Sequence, residues 1–205
     1  MSPRSNEDNE RVRARTREKI LAAGLKVFAV SGYHAATIAQ VAREAGLSHG
    51  LVYHYFESKE DILLELTARA YEGSIEAVRQ AAAAPGGAWE KIERVTAMLY
   101  ENAVSTVESS YYFYLMLQAS LIAATMPKLS RLMARRMPEY NNILVPLIKK
   151  GQKDGTVVKG DPEKLAMSFW SLVQGLSLSG LQYKGGEGIT DPSIMLNLLR
   201  KRSQT

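Results

Sequence analysis

Two short helices with closely spaced boundaries constrain the fold of this chain more than any other feature of its sequence. Thr37 and Gln40 form a capping-box pair that predicts a helix start at Thr37. Gly46 predicts the end of that helix after about two turns, because glycine accepts the left-handed backbone that closes a helix. Ser48 can cap a third helix directly afterwards. Two short helices joined over 45–48 have the layout of a helix-turn-helix.

Helical spacing of apolar residues also dominates the rest of the chain, and no stretch shows convincing strand alternation. Ser58 and Asp61 form a second capping box, and Gly32 is placed to end the first helix. The clearest linker candidate is 81–88. Further helices are expected over about 89–105, 110–124, 127–151 (with breaks at its two prolines), 162–183 and 192–202. We predict an all-α fold with a disordered tail over 1–10, a three-helix helix-turn-helix domain over 11–57 and a helical domain over 58–205.

Length, charge and cysteine content exclude several classes of protein. The 205 residues include no cysteine, which rules out disulfides, thiolate zinc sites and cysteine nucleophiles. No apolar run approaches the ~20 residues that span a bilayer, so a soluble, cytoplasmic protein without a membrane partner is expected. The net charge of +5 mildly favours an acidic partner such as nucleic acid.

The third helix has an unusual outward face. Val52 and Phe56 lie on the side that must face a core, whereas Tyr53 and His54 point outward at 100° per residue. An exposed surface with aromatic side chains is unexpected on a helix that meets only water. It is typical of a helix that enters the major groove of DNA.

The candidate DNA contacts share this surface or adjoin it. They comprise one residue of the basic stretch 11–19, the two helix caps, the outward residues of the third helix and a lysine at the start of the fourth: Arg15, Thr37, Ser48, His49, Gly50, Leu51, Tyr53, His54 and Lys59. Thr37, Ser48 and Ser58 taken singly could be caps and nothing more, and the basic stretch could be a solvated arm.

The same segment resembles the TetR family of transcriptional repressors. The family pattern G…T-I-A…A-G-V-S-x-G-x-L-Y-x-Y-F-x-S-K-x-x-L is matched without gaps by Gly32, Thr37-Ile38-Ala39, Val41-Ala42, Ala45-Gly46-Leu47-Ser48, Gly50, Val52-Tyr53-His54-Tyr55-Phe56, Ser58-Lys59-Glu60 and Ile62-Leu63. Ala36 stands where a second Thr or Ser is common, and Val52 replaces the usual Leu. The resemblance covers about a quarter of the chain. It implies a homodimer that binds a palindromic operator, with a C-terminal helical domain that binds a small effector and dimerises through its last two long helices.

Effector candidates come from the aromatic and methionine residues of the C-terminal region, most of which are expected to be ordinary core. Such side chains wall apolar cavities well, and glutamines can supply a few orienting hydrogen bonds. No Lys or Arg lies within 110–124, which favours a hydrophobic or weakly polar ligand. The candidates are Tyr71, Met98, Phe113, Tyr114, Leu117, Gln118, Met133, Trp170 and Gln174.

Dimer candidates lie on the last two expected helices, where small residues at helical spacing allow close packing of helices. They are Phe169, Leu172, Gly175, Leu176, Ser179, Leu196 and Leu199, with Leu198 beside them. Packing within one subunit is the alternative for the same residues.

The sequence leaves two alternatives to DNA binding. An enzyme lacks support, because the three histidines fall within 34–54 and no carboxylate–histidine pair has suitable spacing elsewhere. The histidines also lack the i, i+4 spacing that favours a metal, so no metal site and no cofactor are expected. A helical adaptor that binds protein through its N-terminal helices is the second alternative, which the Tyr53–His54 surface and the basic stretch disfavour.

Overall fold

The computed structural model describes residues 6–104, 107–182 and 191–201, with the side chains of 6, 102–104, 107–110, 176–182 and 192 excepted. Nine α-helices account for most of the described residues. They are α1 (Asn6–Ser31), α2 (Ile38–Ala45), α3 (His49–Tyr55), α4 (Lys59–Ala83), α5 (Ala88–Val104), α6 (Val107–Ile122), α7 (Pro127–Lys153), α8 (Pro162–Gln182) and α9 (Pro192–Leu199). The expected all-α fold is confirmed, with one isolated antiparallel bridge between Val157 and Arg200 within the described residues.

The chain divides into two compact units. The first, here called the N-terminal unit, comprises Met1–Ala70 and Tyr114–Ser130. The second, the C-terminal unit, comprises Tyr71–Phe113 and Arg131–Thr205. This division differs from the expected boundary at 57/58, because the first half of α4 and much of α6 belong with the N-terminal unit.

The core of the N-terminal unit forms where α1, α2, α3 and α4 bury one face each. Ile20 and Phe28 of α1, Val41 of α2 and Val52 of α3 are fully buried. Gly24 allows α1 to lie close to α4, since a Cβ added there would stand 2.7 Å from Ile62 Cγ2. These contacts fix α2 and α3 as short elements on a scaffold of longer helices.

A continuous cluster of buried side chains forms the core of the C-terminal unit. It includes Trp89 and Ile92 of α5, Leu144 of α7, Phe169 of α8 and Leu199 of α9. Burial of aliphatic and aromatic surface of this extent is the dominant stabilising term in a helical domain.

Two details of the helices differ from the sequence-based expectations. α1 already includes residues 6–10, which were expected in the disordered tail, while residues 1–5 lie outside the described residues. α7 continues through Pro138 and Pro146, where breaks were expected. A proline removes one helical hydrogen bond, and a long helix packed along one face can tolerate that loss.

None of the described helices combines the length and hydrophobicity that crossing a membrane requires.

Candidate nucleic-acid interface

The helix-turn-helix is built by local hydrogen bonds at the residues that the sequence marks. Thr37 Oγ1 accepts from the N–H of Gln40 at 3.2 Å, and Gln40 Oε1 accepts from the N–H of Thr37 at 2.8 Å, which completes the capping box. Gly46 adopts a left-handed backbone with φ 66° and closes α2. Ser48 Oγ then accepts from the N–H of Leu51 at 3.2 Å and caps α3. The predicted cap at each boundary is confirmed.

α3 has a buried side and an exposed side, as the sequence predicts. Val52 is fully buried, whereas Tyr53 is 47% exposed and Leu51 37% exposed. The ring of His49 lies edge-on to that of Tyr53, with centroids 4.9 Å apart, and His54 is exposed as well. These exposed side chains form what we call the α3 surface: His49, Gly50, Leu51, Tyr53 and His54.

Packing within the chain does not explain the glycine in this surface. A Cβ added to Gly50 would have no atom within 4 Å, and its φ does not fall in the left-handed region. Glycine inside a helix costs stability relative to alanine. An external partner that approaches the backbone closely would account for its presence.

Basic residues of α1 divide into exposed and paired ones. Arg15 is exposed, whereas Arg17 forms an ion pair with Glu65 and lies over the ring of Phe56, with its Cζ 4.6 Å from the centroid. Arg69 bridges Glu18 at 2.7 Å and Glu65 at 2.9 Å, which ties α1 to α4. The hydrogen bond from Arg69 is the main cause that lowers the pKa of Glu18. Within the basic stretch, Arg15 therefore remains a candidate for phosphate contact, while Arg17 braces the scaffold.

Lys59 has a role that the sequence did not suggest. Its ammonium donates to the carbonyl oxygens of Tyr33 at 2.9 Å, His34 at 3.0 Å and Ala36 at 2.8 Å. It also lies 4.7 Å from the centroid of the Tyr33 ring. An ammonium has three N–H donors, and these three bonds use them all. Lys59 therefore holds the α1–α2 corner (residues 32–36) in this structure, and its expected phosphate contact stays a prediction.

Gln118 of α6 holds the same corner from another direction. Its Oε1 accepts from the N–H of Tyr33 at 2.7 Å, and its Nε2 donates to the carbonyl of Phe28 at 2.9 Å. Both ends of the amide are therefore engaged with the end of α1. These two bonds hold the end of the helix that precedes Thr37, and the expected effector role of Gln118 stays a prediction.

The remaining effector candidates are divided between the two units. Tyr114 and Leu117 belong to the N-terminal unit with Gln118, whereas Tyr71, Met98, Phe113, Met133, Trp170 and Gln174 belong to the C-terminal unit. Their role in effector binding stays a prediction.

Three aromatic rings of the C-terminal unit are neighbours in space, with Tyr140 between the other two. The ring of Tyr140 lies 6.1 Å from Tyr71 and 4.8 Å from Trp170. Burial raises the pKa of Tyr71 to about 12, and burial also raises the pKa of Tyr140. Both phenols are therefore neutral at physiological pH. Sequence reasoning missed Tyr140, although it lies one helical turn before Leu144 of the core.

The dimer candidates separate into buried and exposed residues. Phe169 and Leu199 are buried in the core of their own unit, and Leu196 packs against it, whereas Leu172 and Gly175 are exposed. The side chains of Leu176 and Ser179 lie outside the described residues.

Two residues of α9 that were not among the main candidates are more exposed. Ile194 is 55% exposed and Leu198 60% exposed, one turn apart, whereas the adjacent Met195 and Leu199 are buried. Their spacing of four residues, which places them on one side of a helix, can be read from the sequence. We use α8–α9 face for the exposed set Leu172, Gly175, Ile194 and Leu198.

Comparison with known proteins agrees with this architecture. Residues 20–66 match the family model described as "Bacterial regulatory proteins, tetR family". The HTH-type transcriptional regulator BetI of Rhizobium meliloti (strain 1021) is 31% identical over 164 residues, which are 78% of this chain and 75% of that protein. The fatty acid metabolism regulator protein of Bacillus subtilis (strain 168) is 26% identical over 148 residues, 72% of this chain and 74% of that protein.

A similar fold is found among solved structures. A Saccharomonospora viridis protein, solved in complex with choline, superimposes with a TM-score of 0.78 over 92% of this chain and 100% of that one, at 24% identity.

Proposed function

This chain belongs to the TetR family of bacterial transcriptional regulators, and from that premise we propose that it is a homodimeric repressor, released from a palindromic operator by a small hydrophobic effector. Its membership makes it a transcriptional regulator with a helix-turn-helix DNA-binding domain, not an enzyme. Regulators of this family bind DNA, and they typically form dimers and bind small-molecule effectors.

The α3 surface carries this proposal. Tyr53 and His54 are exposed on a helix whose opposite side is buried, and Gly50 beside them has an open approach to its backbone. Hydrogen-bonding side chains next to an unobstructed backbone suit the polar edges of base pairs in the major groove. Leu51 adds an apolar group that suits the methyl of thymine.

Phosphate contacts around this surface would fix the position of the protein along the duplex. Thr37 and Ser48 lie at the N-termini of α2 and α3, where backbone N–H groups favour phosphate. Arg15, exposed on α1, supplies a positive charge that suits the DNA backbone. Lys59 contributes by holding the corner that leads to Thr37.

Dimerisation would use the α8–α9 face. Its members are the exposed aliphatic side chains Leu172, Ile194 and Leu198 and the small Gly175, a composition that suits close packing against an identical face. Two subunits would then place two copies of α3 one helical turn of DNA apart, about 34–36 Å, on a palindromic site.

Effector release would act through the C-terminal unit. Tyr71 and Trp170 contribute apolar walls there, and the charge-poor segment 110–124 favours a hydrophobic compound. The Bacillus subtilis relative is a fatty acid metabolism regulator, which makes apolar compounds a reasonable first panel of effectors. Release requires that the effector bind one dimer geometry better than the other.

Operator binding tests the proposal directly. Fluorescence anisotropy would compare a duplex from the protein's own upstream region with a scrambled duplex, at two salt concentrations. We expect a sequence preference of at least about 1,000-fold, which is the lower end for specific regulators. Equal affinity for the two duplexes would contradict DNA recognition and would favour the protein-binding adaptor.

Tyr53→Ala locates the contact within α3. Because Tyr53 is exposed, the substitution should leave the thermal unfolding midpoint unchanged while it weakens specific binding about tenfold. Leu121→Ala is the matched control, since Leu121 is exposed and belongs to α6, not to α3. Unchanged operator affinity in Tyr53→Ala would remove Tyr53 from the interface.

A further inference from the structure

A cleft with basic walls lies where the end of α9 meets the loop between α7 and α8. Its volume is about 420 Å³, within the range of roughly 300–1,000 Å³ that is usual for small-ligand sites. The loop and the end of α9 supply its lining residues, which are Val158, Lys159, Asn197, Leu198, Arg200 and Lys201. We call this set the basic cleft.

We propose that the basic cleft binds a compact small molecule that carries more than one negative charge on phosphate or carboxylate groups. The inference does not depend on the proposed regulatory function, because all six lining residues belong to the C-terminal unit, whereas the α3 surface belongs to the N-terminal unit. Leu198 also belongs to the α8–α9 face, so the basic cleft borders that face, but none of its cations is part of it.

Charge is the first argument for an anionic ligand. Lys159, Arg200 and Lys201 are exposed and contribute three positive charges, and no Asp or Glu is among the lining residues. None of the three cations forms an ion pair with an acidic side chain of the described residues. A cleft lined by charges of one sign concentrates small ions of the opposite sign.

The end of a helix does not by itself account for this charge. The C-terminus of α9 carries the negative end of a helix dipole, which favours the positive charges of Arg200 and Lys201. Lys159 belongs instead to the loop between α7 and α8, and it adds a third charge to the same space. Cations from two separate elements therefore converge on the basic cleft.

Hydrogen bonds fix the backbone that carries these cations. The N–H of Lys201 donates to the carbonyl of Thr156 at 3.0 Å, which joins the end of α9 to the loop. Gln152 Nε2 donates to the carbonyl of Val158 at 3.0 Å, directly before Lys159. An ordered backbone on both sides lowers the entropic cost of gathering several cations around one ligand.

Arg200 supplies donors of fixed geometry. Its Cζ lies 5.5 Å from the centroid of the Trp89 ring, so its guanidinium is held against an aromatic face. A guanidinium presents a planar fork of N–H groups that matches two oxygens of a phosphate or carboxylate. Val158 and Leu198 add apolar walls, beside which the attraction between opposite charges is stronger than in bulk water. These features suit a compact oxyanion.

Isothermal titration calorimetry with the full-length protein tests the proposal, with pyrophosphate and citrate as probes in buffer of physiological salt content. We expect saturable binding of at least one probe, with a dissociation constant below about 1 mM. Tighter binding of pyrophosphate would assign phosphate as the preferred group, and tighter binding of citrate would assign carboxylate. If neither probe bound saturably, the proposal would be overturned.

Lys159→Gln combined with Lys201→Gln should weaken binding at least about tenfold, because two of the three cations are lost. Lys150→Gln combined with Lys153→Gln is the matched control, since it removes the same charge from exposed residues that do not line the cleft. All four lysines are exposed, so both variants should remain folded, which thermal unfolding would check. An equal loss of affinity in the two variants would show that the anion responds only to net charge, and the basic cleft would not be its site.

Operator binding separates this inference from the proposed function. The combined Lys159→Gln and Lys201→Gln variant should leave the operator affinity and its salt dependence unchanged. A decrease of about two in the slope of log affinity against log salt would identify the two lysines as contacts to DNA phosphates and would overturn the small-molecule ligand. Anion binding by a protein without any operator preference would support the basic cleft and contradict the regulatory proposal.

Discussion

The α3 surface and the α8–α9 face are two exposed regions of opposite chemistry. The first carries a phenol and imidazoles beside an open glycine, on a helix of seven residues with hydrogen-bonded caps. The second carries aliphatic side chains, with Ile194 and Leu198 more than half exposed. Neither is explained by packing within its own unit, so each indicates an external partner.

This contrast assigns a different partner to each region. Hydrogen-bonding groups can form direct or water-mediated hydrogen bonds with a polar, hydrated surface such as a DNA groove. Aliphatic side chains gain only when another apolar surface removes them from water. The two regions therefore fit DNA and a second copy of the chain respectively, and four predictions test that division in order of expected effect.

The largest expected effect is on the apolar region. Ile194→Asp combined with Leu198→Asp should convert dimer to monomer and weaken operator binding about 100-fold or more, because two linked half-site contacts become independent. Sedimentation velocity and anisotropy would measure the two changes. Asn197→Asp is the control, an exposed position on the same helix with the same new charge. A dimer that survives the double substitution would show that subunits associate elsewhere.

A smaller, opposite pair of effects is expected at Gly50. Gly50→Ala should raise the free energy of unfolding by about 0.5–1 kcal/mol, because the added Cβ meets no atom and alanine favours the helix. Operator affinity should nevertheless fall about tenfold if the backbone approaches the duplex closely. Thermal unfolding and anisotropy on one preparation give both values. A variant that is more stable and binds the operator equally well would show that the duplex does not approach the backbone closely at Gly50.

Gln118→Met should weaken operator binding by about fivefold, since two hydrogen bonds that order the α1–α2 corner are lost. Amide hydrogen exchange at Tyr33 should accelerate in parallel. Ser120→Ala on the same helix should change neither quantity, as Ser120 is exposed and its hydroxyl donates to the carbonyl of Met116 in its own helix. Unchanged exchange at Tyr33 would argue that Lys59 alone holds the corner.

The smallest expected effect concerns acid stability of the N-terminal unit. Arg69 lowers the pKa of Glu18 in the folded chain, so this pair stabilises the fold above the ordinary pKa near 4.5 and loses its effect as pH falls through the lowered value. Both side chains are substantially exposed, so Arg69→Met should lower the unfolding midpoint by only about 1–2 °C at pH 7. That difference should shrink toward pH 3; a difference that grew there would contradict the assigned pair.

Local signals in the sequence were sufficient for the helix-turn-helix. Thr37, Gly46 and Ser48 act on backbone groups within four residues, so their hydrogen bonds depend little on the remainder of the chain. The buried side of α3 followed from helical spacing alone. Exposure of Tyr53 could be predicted for the same reason.

The roles of long polar side chains were not predictable in this way. Gln118 lies 85 positions after Tyr33 in the chain, and Lys59 lies 26 after it, yet both bond the same corner. No local pattern indicates which distant carbonyl or N–H such a side chain will meet. For this reason the sequence did not predict that Gln118 and Lys59 hold this corner.

The amino-acid sequence by itself determined the all-α fold, the helix boundaries at 37–48 and the outward face of α3, because caps and helical periodicity are short-range properties. Only the tertiary structure decided that Phe169 and Leu199 are core while Ile194 and Leu198 are exposed. Periodicity shows that a helix has an apolar side. Which part of that side meets its own unit depends on where the neighbouring helices lie.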